Sequence, residues 1–219
     1  METIQLYKSE GLTGKMHDIH GFSTANLENP FCQRCRENSS LVCAKCYARS
    51  TLLYRKAMRE HYVDNGNMLS RPMADSEFPR TWEDVIRLET HGELLNLQHL
   101  QNYVRLCELN PQTQFTLWTK RVNLIREAAL RGISQPSNLH IKISSPFLNR
   151  ESHVDKTWYQ AHGWNLTLFT VYDLAHATQE HKEITCGGRE CRTCMKCYGN
   201  HAMEDIVELL KQDQKKVKE

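Results

Sequence analysis

The sequence predicts an α/β protein: a partial or complete α/β barrel with parallel strands, TIM-barrel-like, carrying two cysteine-rich metal-binding loops. Three observations predict it. Short apolar runs alternate with helical patterns through the middle of the chain, polar residues collect where those runs end, and eight of the nine cysteines fall into two clusters near opposite ends. Strands alternating with helices lead to parallel sheets with right-handed crossovers, and the loops after the strands then build the site.

The elements follow in order. Residues 19–24 supply a first strand, which runs through Asn29-Pro30 into the first cysteine cluster, and residues 47–62 read as a basic helix. Val85-Ile86-Arg87-Leu88 is a short buried strand ending at Glu89-Thr90-His91-Gly92-Glu93. A helical pattern follows through Leu97, Leu100, Tyr103, Val104 and Leu106 and stops at Asn110-Pro111. Residues 115–119 form the next strand, and residues 122–130 a helix closed by Gly132. Strands at 139–143 and 166–172 complete the pattern. The tail from Met203, with Ile206, Val207 and Leu210 at helical spacing, reads as an amphipathic helix with a frayed end. The chain thus divides into a barrel-like body over 1–185 with the first cluster, and a segment over 186–219 with the second cluster and that helix.

Composition narrows the function. A chain of 219 residues buries a sizeable core, and its net charge of +2 gives no global basic field for nucleic acid. Basic stretches at 49–59 and 211–218 read as solvated helix faces. No apolar run is long enough to cross a bilayer, so no membrane partner is expected. The start shows no basic region followed by an apolar stretch, which points to a reducing, cytoplasmic setting rather than a secreted disulfide framework. Cys107, beside Leu106 in a helical pattern, is a small packing residue. The four tryptophans read as core or rim packing. Oligomeric state leaves no signal in the sequence.

The clusters carry the chemistry. The first is Cys32-x2-Cys35-x7-Cys43-x2-Cys46 and the second Cys186-x4-Cys191-x2-Cys194-x2-Cys197. Four donors each is the ligand count of two metal centres, either two [4Fe–4S] clusters or two zinc ions. The compact C-x2-C-x2-C run of the second cluster has ferredoxin-like spacing, with Gly187-Gly188 letting Cys186 fold back as fourth ligand. The two C-x2-C pairs of the first cluster suit zinc knuckles as well as iron.

Several motifs resemble the phage gene-product-eighty-eight family. They are Asn29-Pro30, the cluster ending Cys43-x2-Cys46-Tyr47-Ala48, Thr90-His91-Gly92-Glu93, Leu117-Trp118-Thr119-Lys120, Ser144-Ser145-Pro146 and the closing CGGRECRTCMKCY run. The resemblance covers roughly Gly21 to Tyr198. It implies an origin in phage or phage-derived DNA and implies no reaction.

A more distant resemblance is to radical S-adenosylmethionine enzymes, whose first strand leads into a three-cysteine loop that binds a [4Fe–4S] cluster. Cys46-Tyr47-Ala48 is similar to the end of that loop, Gly92-Glu93 to part of a Gly-Gly-Glu motif, and Thr119-Lys120 to a neighbouring strand end. The resemblance implies S-adenosylmethionine as cofactor, with Gly92, Glu93 and Lys120 matching its motifs; the strand-end position adds Glu89 and His91 as candidates to hold it, His91 reading also as a polar mouth residue that is no ligand. The chain departs from that pattern in the seven residues between Cys35 and Cys43, and in Cys32 as a fourth possible ligand. Glu93 also reads as a cap for the helix beginning near Asn96, and Lys120 as part of a solvated turn. Two functions from different classes are therefore expected. One is an iron–sulfur enzyme acting on a small-molecule, nucleotide or nucleic-acid substrate through catalytic residues the sequence does not name. The other is a metal-stapled binding protein for nucleic acid or a host protein.

Overall fold

The computed structural model describes residues 6–11, 14–186, 188, 190–198, 204–210 and 213–214. Gly187, Met203 and the basic residues of 211–218 lie outside the described residues. The strands are β1 (Lys8–Ser9), β2 (His20–Phe22), β3 (Val85–Leu88), β4 (Gln114–Thr119), β5 (Leu139–Leu148), β6 (Leu166–Tyr172) and β7 (Ile206–Leu209). They form one sheet in chain order, β1 antiparallel to β2 and every later pair parallel. The fold is therefore mixed α/β with a mostly parallel seven-stranded sheet. Among the described residues the ladder is open, and no pairing carries β7 back to the first strands to close a barrel.

Helices α1 (Pro30–Glu37), α2 (Tyr47–Tyr54) and α3 (Lys56–Leu69) lie between β2 and β3. The single basic helix expected over 47–62 is two, broken at Arg55, whose extended backbone (φ −106°, ψ 77°) ends one and starts the other. Helices α4 (Leu97–Leu109), α5 (Val122–Leu130) and α6 (Lys156–Ala161) fill the next three crossovers. Between β6 and β7 come α7 (Leu174–Gln179) and the one-turn α8 (Cys191–Cys194). The C-terminal segment expected as an amphipathic helix contains strand β7. Its Ile206-Val207-x-Leu209 pattern satisfies a two-residue period as well as a helical one, and the open edge of β6 supplies the hydrogen bonds.

Every parallel crossover steps the same way along the sheet, so right-handed connections direct the main crossover helices α3 to α7 to one face, the one-turn α8 being the exception. Alternation in the strands agrees. Ile86, Leu88, Phe115, Leu117, Ile141 and Ile143 join Leu100, Tyr103, Leu124 and Ile125 of α4 and α5 in the main core, with Cys107 fully buried among them. Trp164 is also fully buried in this core, whereas Trp82 is 87% exposed, outside both core and rim. The opposite face carries the intervening residues Val85, Arg87, Thr116, Trp118 and Lys142. Residues 190–198 cover part of it, packing Cys191, Met195, Cys197 and Tyr198 against Val85 and Trp118. Both faces are thus buried, the usual state of parallel strands.

Candidate functional site

The first cysteine group sits where β2 ends, and Asn29 sets its position. Its Oδ1 accepts from the Phe31 N–H at 2.9 Å and so caps α1, while its Nδ2 donates to the Glu93 carbonyl at 2.8 Å. Pro30 takes the first helical position, where a missing N–H costs nothing. Cys32 and Cys35 then lie three residues apart on one helix and share a side. Cys43 and Cys46 bracket a 3-10 turn closed by the Cys46 N–H on the Cys43 carbonyl at 3.2 Å. An antiparallel bridge from Leu41 to Phe147 ties this loop to the end of β5.

The four thiols form one electrostatic group: Cys32 interacts with Cys43 and Cys46, and Cys35 with Cys43. Burial raises the pKa of Cys32 strongly and that of Cys43 to about 11, so both are neutral thiols when no cation binds them. Lys120, from the end of β4, lies against the group with its Nζ 3.4 Å from Ser144 Oγ. Burial works against its charge, but the Glu93 carboxylate together with thiolates at Cys43, Cys32 and Cys46 would outweigh that and raise its pKa. Lys120 is therefore part of the site and not of a solvated turn.

Glu93 is 4% exposed, and burial raises its pKa. Its carboxylate accepts from the Thr119 hydroxyl, from the Lys120 N–H at 2.7 Å and from the Leu94 N–H at 2.8 Å. It does not cap α4; Asn96 does, accepting from the His99 N–H at 2.9 Å.

The other three mouth residues are placed differently. Glu89 adopts φ of 57° and turns its carboxylate inward, beneath the mouth. It accepts from the Thr24 hydroxyl at 2.9 Å, the Thr24 N–H at 3.3 Å and the Tyr103 hydroxyl. His99 Nε2 lies 3.2 Å from Glu89 Oε1 but is poorly aligned, so that contact is electrostatic rather than a hydrogen bond. At Gly92 a Cβ would lie 2.1 Å from Glu89 Oε2 and 2.5 Å from the Thr24 carbonyl, so the position admits no side chain. His91 leans away toward Tyr47 and Tyr62, and burial, with help from Arg87 and Arg55, lowers its pKa to about 4.

The second group is built on β7 and α8. Cys186 bridges to Glu208, and its Sγ lies 3.1 Å from Lys15 Nζ, which is itself paired with Glu208. Gly188 takes φ of 71°, the left-handed turn that lets the chain fold back. Cys191 and Cys194 share one helical turn, and Met195 at φ 52° turns the chain toward Cys197. Cys197 interacts with Cys186 and Cys191, and burial raises its pKa to about 12. The Thr116 hydroxyl donates to the Cys197 carbonyl at 3.2 Å, anchoring the loop to β4.

Beneath this group lie two cations. Arg87 is stacked over Trp118 at 4.2 Å and contacts Met16 and Tyr198, with no carboxylate in ion-pair range among the described residues. Lys142 donates to the Glu204 carbonyl at 2.8 Å, and burial lowers its pKa to about 8 despite Cys197. Sequence reasoning missed Arg87, Lys142, Asn29 and Thr24. The signal for the first two was present: cations alternating with apolar residues inside strands mark a second covered face.

As the side chains stand, no three His, Cys, Asp or Glu residues among those described converge closely enough to hold an ion. Among the described residues, no helix is long and apolar enough to cross a membrane.

Fold and site together define an α/β protein with a thiol-rich mouth at the strand ends and a second thiol group on the opposite sheet face. The chain belongs to the gene product 88 family, which matches it over residues 7–200. No curated protein and no solved structure matches it.

Proposed function

We propose that the chain is an iron–sulfur protein with two cysteine-ligated centres, the first a reaction centre in a partial-barrel mouth that takes S-adenosylmethionine. The observation that carries the metal reading is that a largely buried cation adjoins each cysteine group, Arg87 with no carboxylate in ion-pair range among the described residues and Lys120 with only the Glu93 carboxylate beside it. Lys120 adjoins the first and Arg87 the second. A buried cation that lacks a counter-charge, as Arg87 does, costs several kcal/mol, and neutral thiols do not offset it. Thiolates on a metal do, because binding the metal deprotonates them. The compact run of Cys191, Cys194 and Cys197 favours iron–sulfur over zinc there.

The catalytic reading rests on placement. The cysteine loop follows the first parallel strand, and Glu93 and Lys120 stand at the ends of the next two, where parallel sheets carry their ligand sites. A bound cluster with an open iron supplies single electrons to its cofactor. The chain's part is to orient: Glu93 is held by three donors and Lys120 supplies fixed positive charge. A second reading is favoured by Cys32, whose thiol keeps company with both Cys43 and Cys46. Four thiolates would close the centre and leave a metal-stapled binding protein.

Anaerobic purification with iron, sulfide and zinc analysis tests both. Two cubane clusters give about eight irons and eight sulfides per chain, with a visible absorption change on adding S-adenosylmethionine. A colourless protein with about two zinc ions refutes the iron reading. Cys32→Ala separates the alternatives: an open cluster keeps its iron and its response to S-adenosylmethionine, whereas a closed one shows no such response in the parent and loses iron in the variant.

A further inference from the structure

The net charge of the chain hides a local imbalance. Residues 34–59 hold seven lysines and arginines against the single carboxylate of Glu37, so the remainder of the chain is net acidic by four. The imbalance falls on the segment that carries the first cysteine group. Among the described residues Arg34, Lys45, Arg49 and Arg55 make no ion pair, while Arg59 is held by Glu28 and Lys56 by Glu60.

Helix α2 shows how the surface is made. It buries Ala48 and Leu52 and turns Arg49, Ser50, Leu53 and Tyr54 to solvent. Tyr54 is 89% exposed and Tyr47 64%, an unusual expense of aromatic surface on a solvated helix. Tyr47 also reaches the mouth, its hydroxyl donating to the Thr90 carbonyl at 3.1 Å. Unpaired cations interleaved with exposed rings form the pattern that holds single-stranded nucleic acid, the cations following phosphates and the rings stacking on bases.

We propose that the face formed by α2 and the loops flanking it binds single-stranded nucleic acid and leads it to the mouth. As a statement of substrate class this rests on the reaction-centre reading above; as a statement of binding it does not. An anionic membrane would attract the same cations. The outward face of α2 offers Leu53 alone as an aliphatic anchor, too little for a helix lying in a bilayer surface.

Fluorescence anisotropy with a labelled oligothymidylate of about twenty nucleotides tests the proposal on the full chain. Four phosphate contacts give a log–log salt slope near −3, about a fifty-fold loss of affinity between 50 and 200 mM salt. Arg49→Glu with Arg55→Glu should weaken binding by more than ten-fold and roughly halve that slope. Tyr54→Ala should weaken it about ten-fold and leave the slope unchanged. Variants that bind like the parent, a duplex bound as tightly as the single strand, or binding only to phosphatidylserine vesicles would each overturn it. Iron and sulfide measured on the same samples separate the two ideas. Metal-loaded protein that ignores the oligonucleotide defeats this inference alone, and metal-free protein that binds it defeats only the metal reading.

Discussion

Replacing Gly92 with alanine tests the packing beneath the mouth. The new Cβ would sit 2.1 Å from Glu89 Oε2, 2.4 Å from Thr24 Oγ1 and 2.5 Å from the Thr24 carbonyl oxygen. One of these atoms is backbone, and the Glu89 carboxylate is fixed by Thr24 and Tyr103, so no flexible side chain can swing aside. Overpacking of this kind costs about 1–3 kcal/mol. Prising Thr24 from a buried carboxylate loses a charged hydrogen bond worth about 1.5–3 kcal/mol more. A total of about 2.5–6 kcal/mol lowers the melting temperature by about 5–24 °C in a chain of this size. Thermal and urea unfolding of Gly92→Ala beside Gly14→Ala provide the assay. Gly14 has φ of 75° and nothing within 4 Å of an added methyl, so it reports left-handed strain alone, about 1–2 kcal/mol. If Gly92→Ala melts no lower than Gly14→Ala, the steric argument is wrong.

Other expectations concern charge and metal. Arg87→Met should cost about 1–3 kcal/mol in metal-loaded protein and be neutral or stabilising in metal-free protein, read by denaturant titration of both forms; the same sign in both would refute the counter-charge argument. His91 is held at about 4 against an ordinary value near 6.5, so the unfolded chain binds the extra proton between those pH values. Its contribution is complete above about pH 6.5 and is lost as pH falls toward 4, a change of at most about 3.4 kcal/mol in total that His91→Asn should remove from a stability–pH profile. Cys43→Ser should halve the bound metal and leave the second centre's spectrum, whereas Cys197→Ser should do the converse; loss of all metal from either variant would mean that the two groups are not independent.

Much of the body was legible because its strands and helices obey one period each. Val85–Leu88, Val122–Leu130 and Leu166–Tyr172 stand where their apolar patterns put them. Ile206–Leu209 was misread because four residues fit either period, and only the vacant edge of β6 decides between them. The two-residue β1 and the short α1 have too few apolar positions to register as patterns. At the site, the strand-end rule put Glu93 and Lys120 at the mouth, and both lie beside the first cysteine group. It could not separate Glu89 from them, because the inward turn of Glu89 depends on a positive φ and on Thr24 and Tyr103 from distant parts of the chain. Arg87 and Lys142 escaped notice because a cation within a short strand reads as an edge or solvent position until something is known to cover it.

The loop of residues 190–198 also bears on how the chain behaves when that covering is lost. A sheet face of this kind normally hides aliphatic side chains, and uncovering it invites clumping. Here the uncovered surface would present Arg87, Lys142 and Thr116 alongside Ile19, Val85 and Trp118. Like charges on that surface would repel one another between molecules. On the proposed metal reading, a chain made under metal starvation should therefore stay more dispersed at low ionic strength than one exposing a purely aliphatic face, and precipitate on adding polyanions.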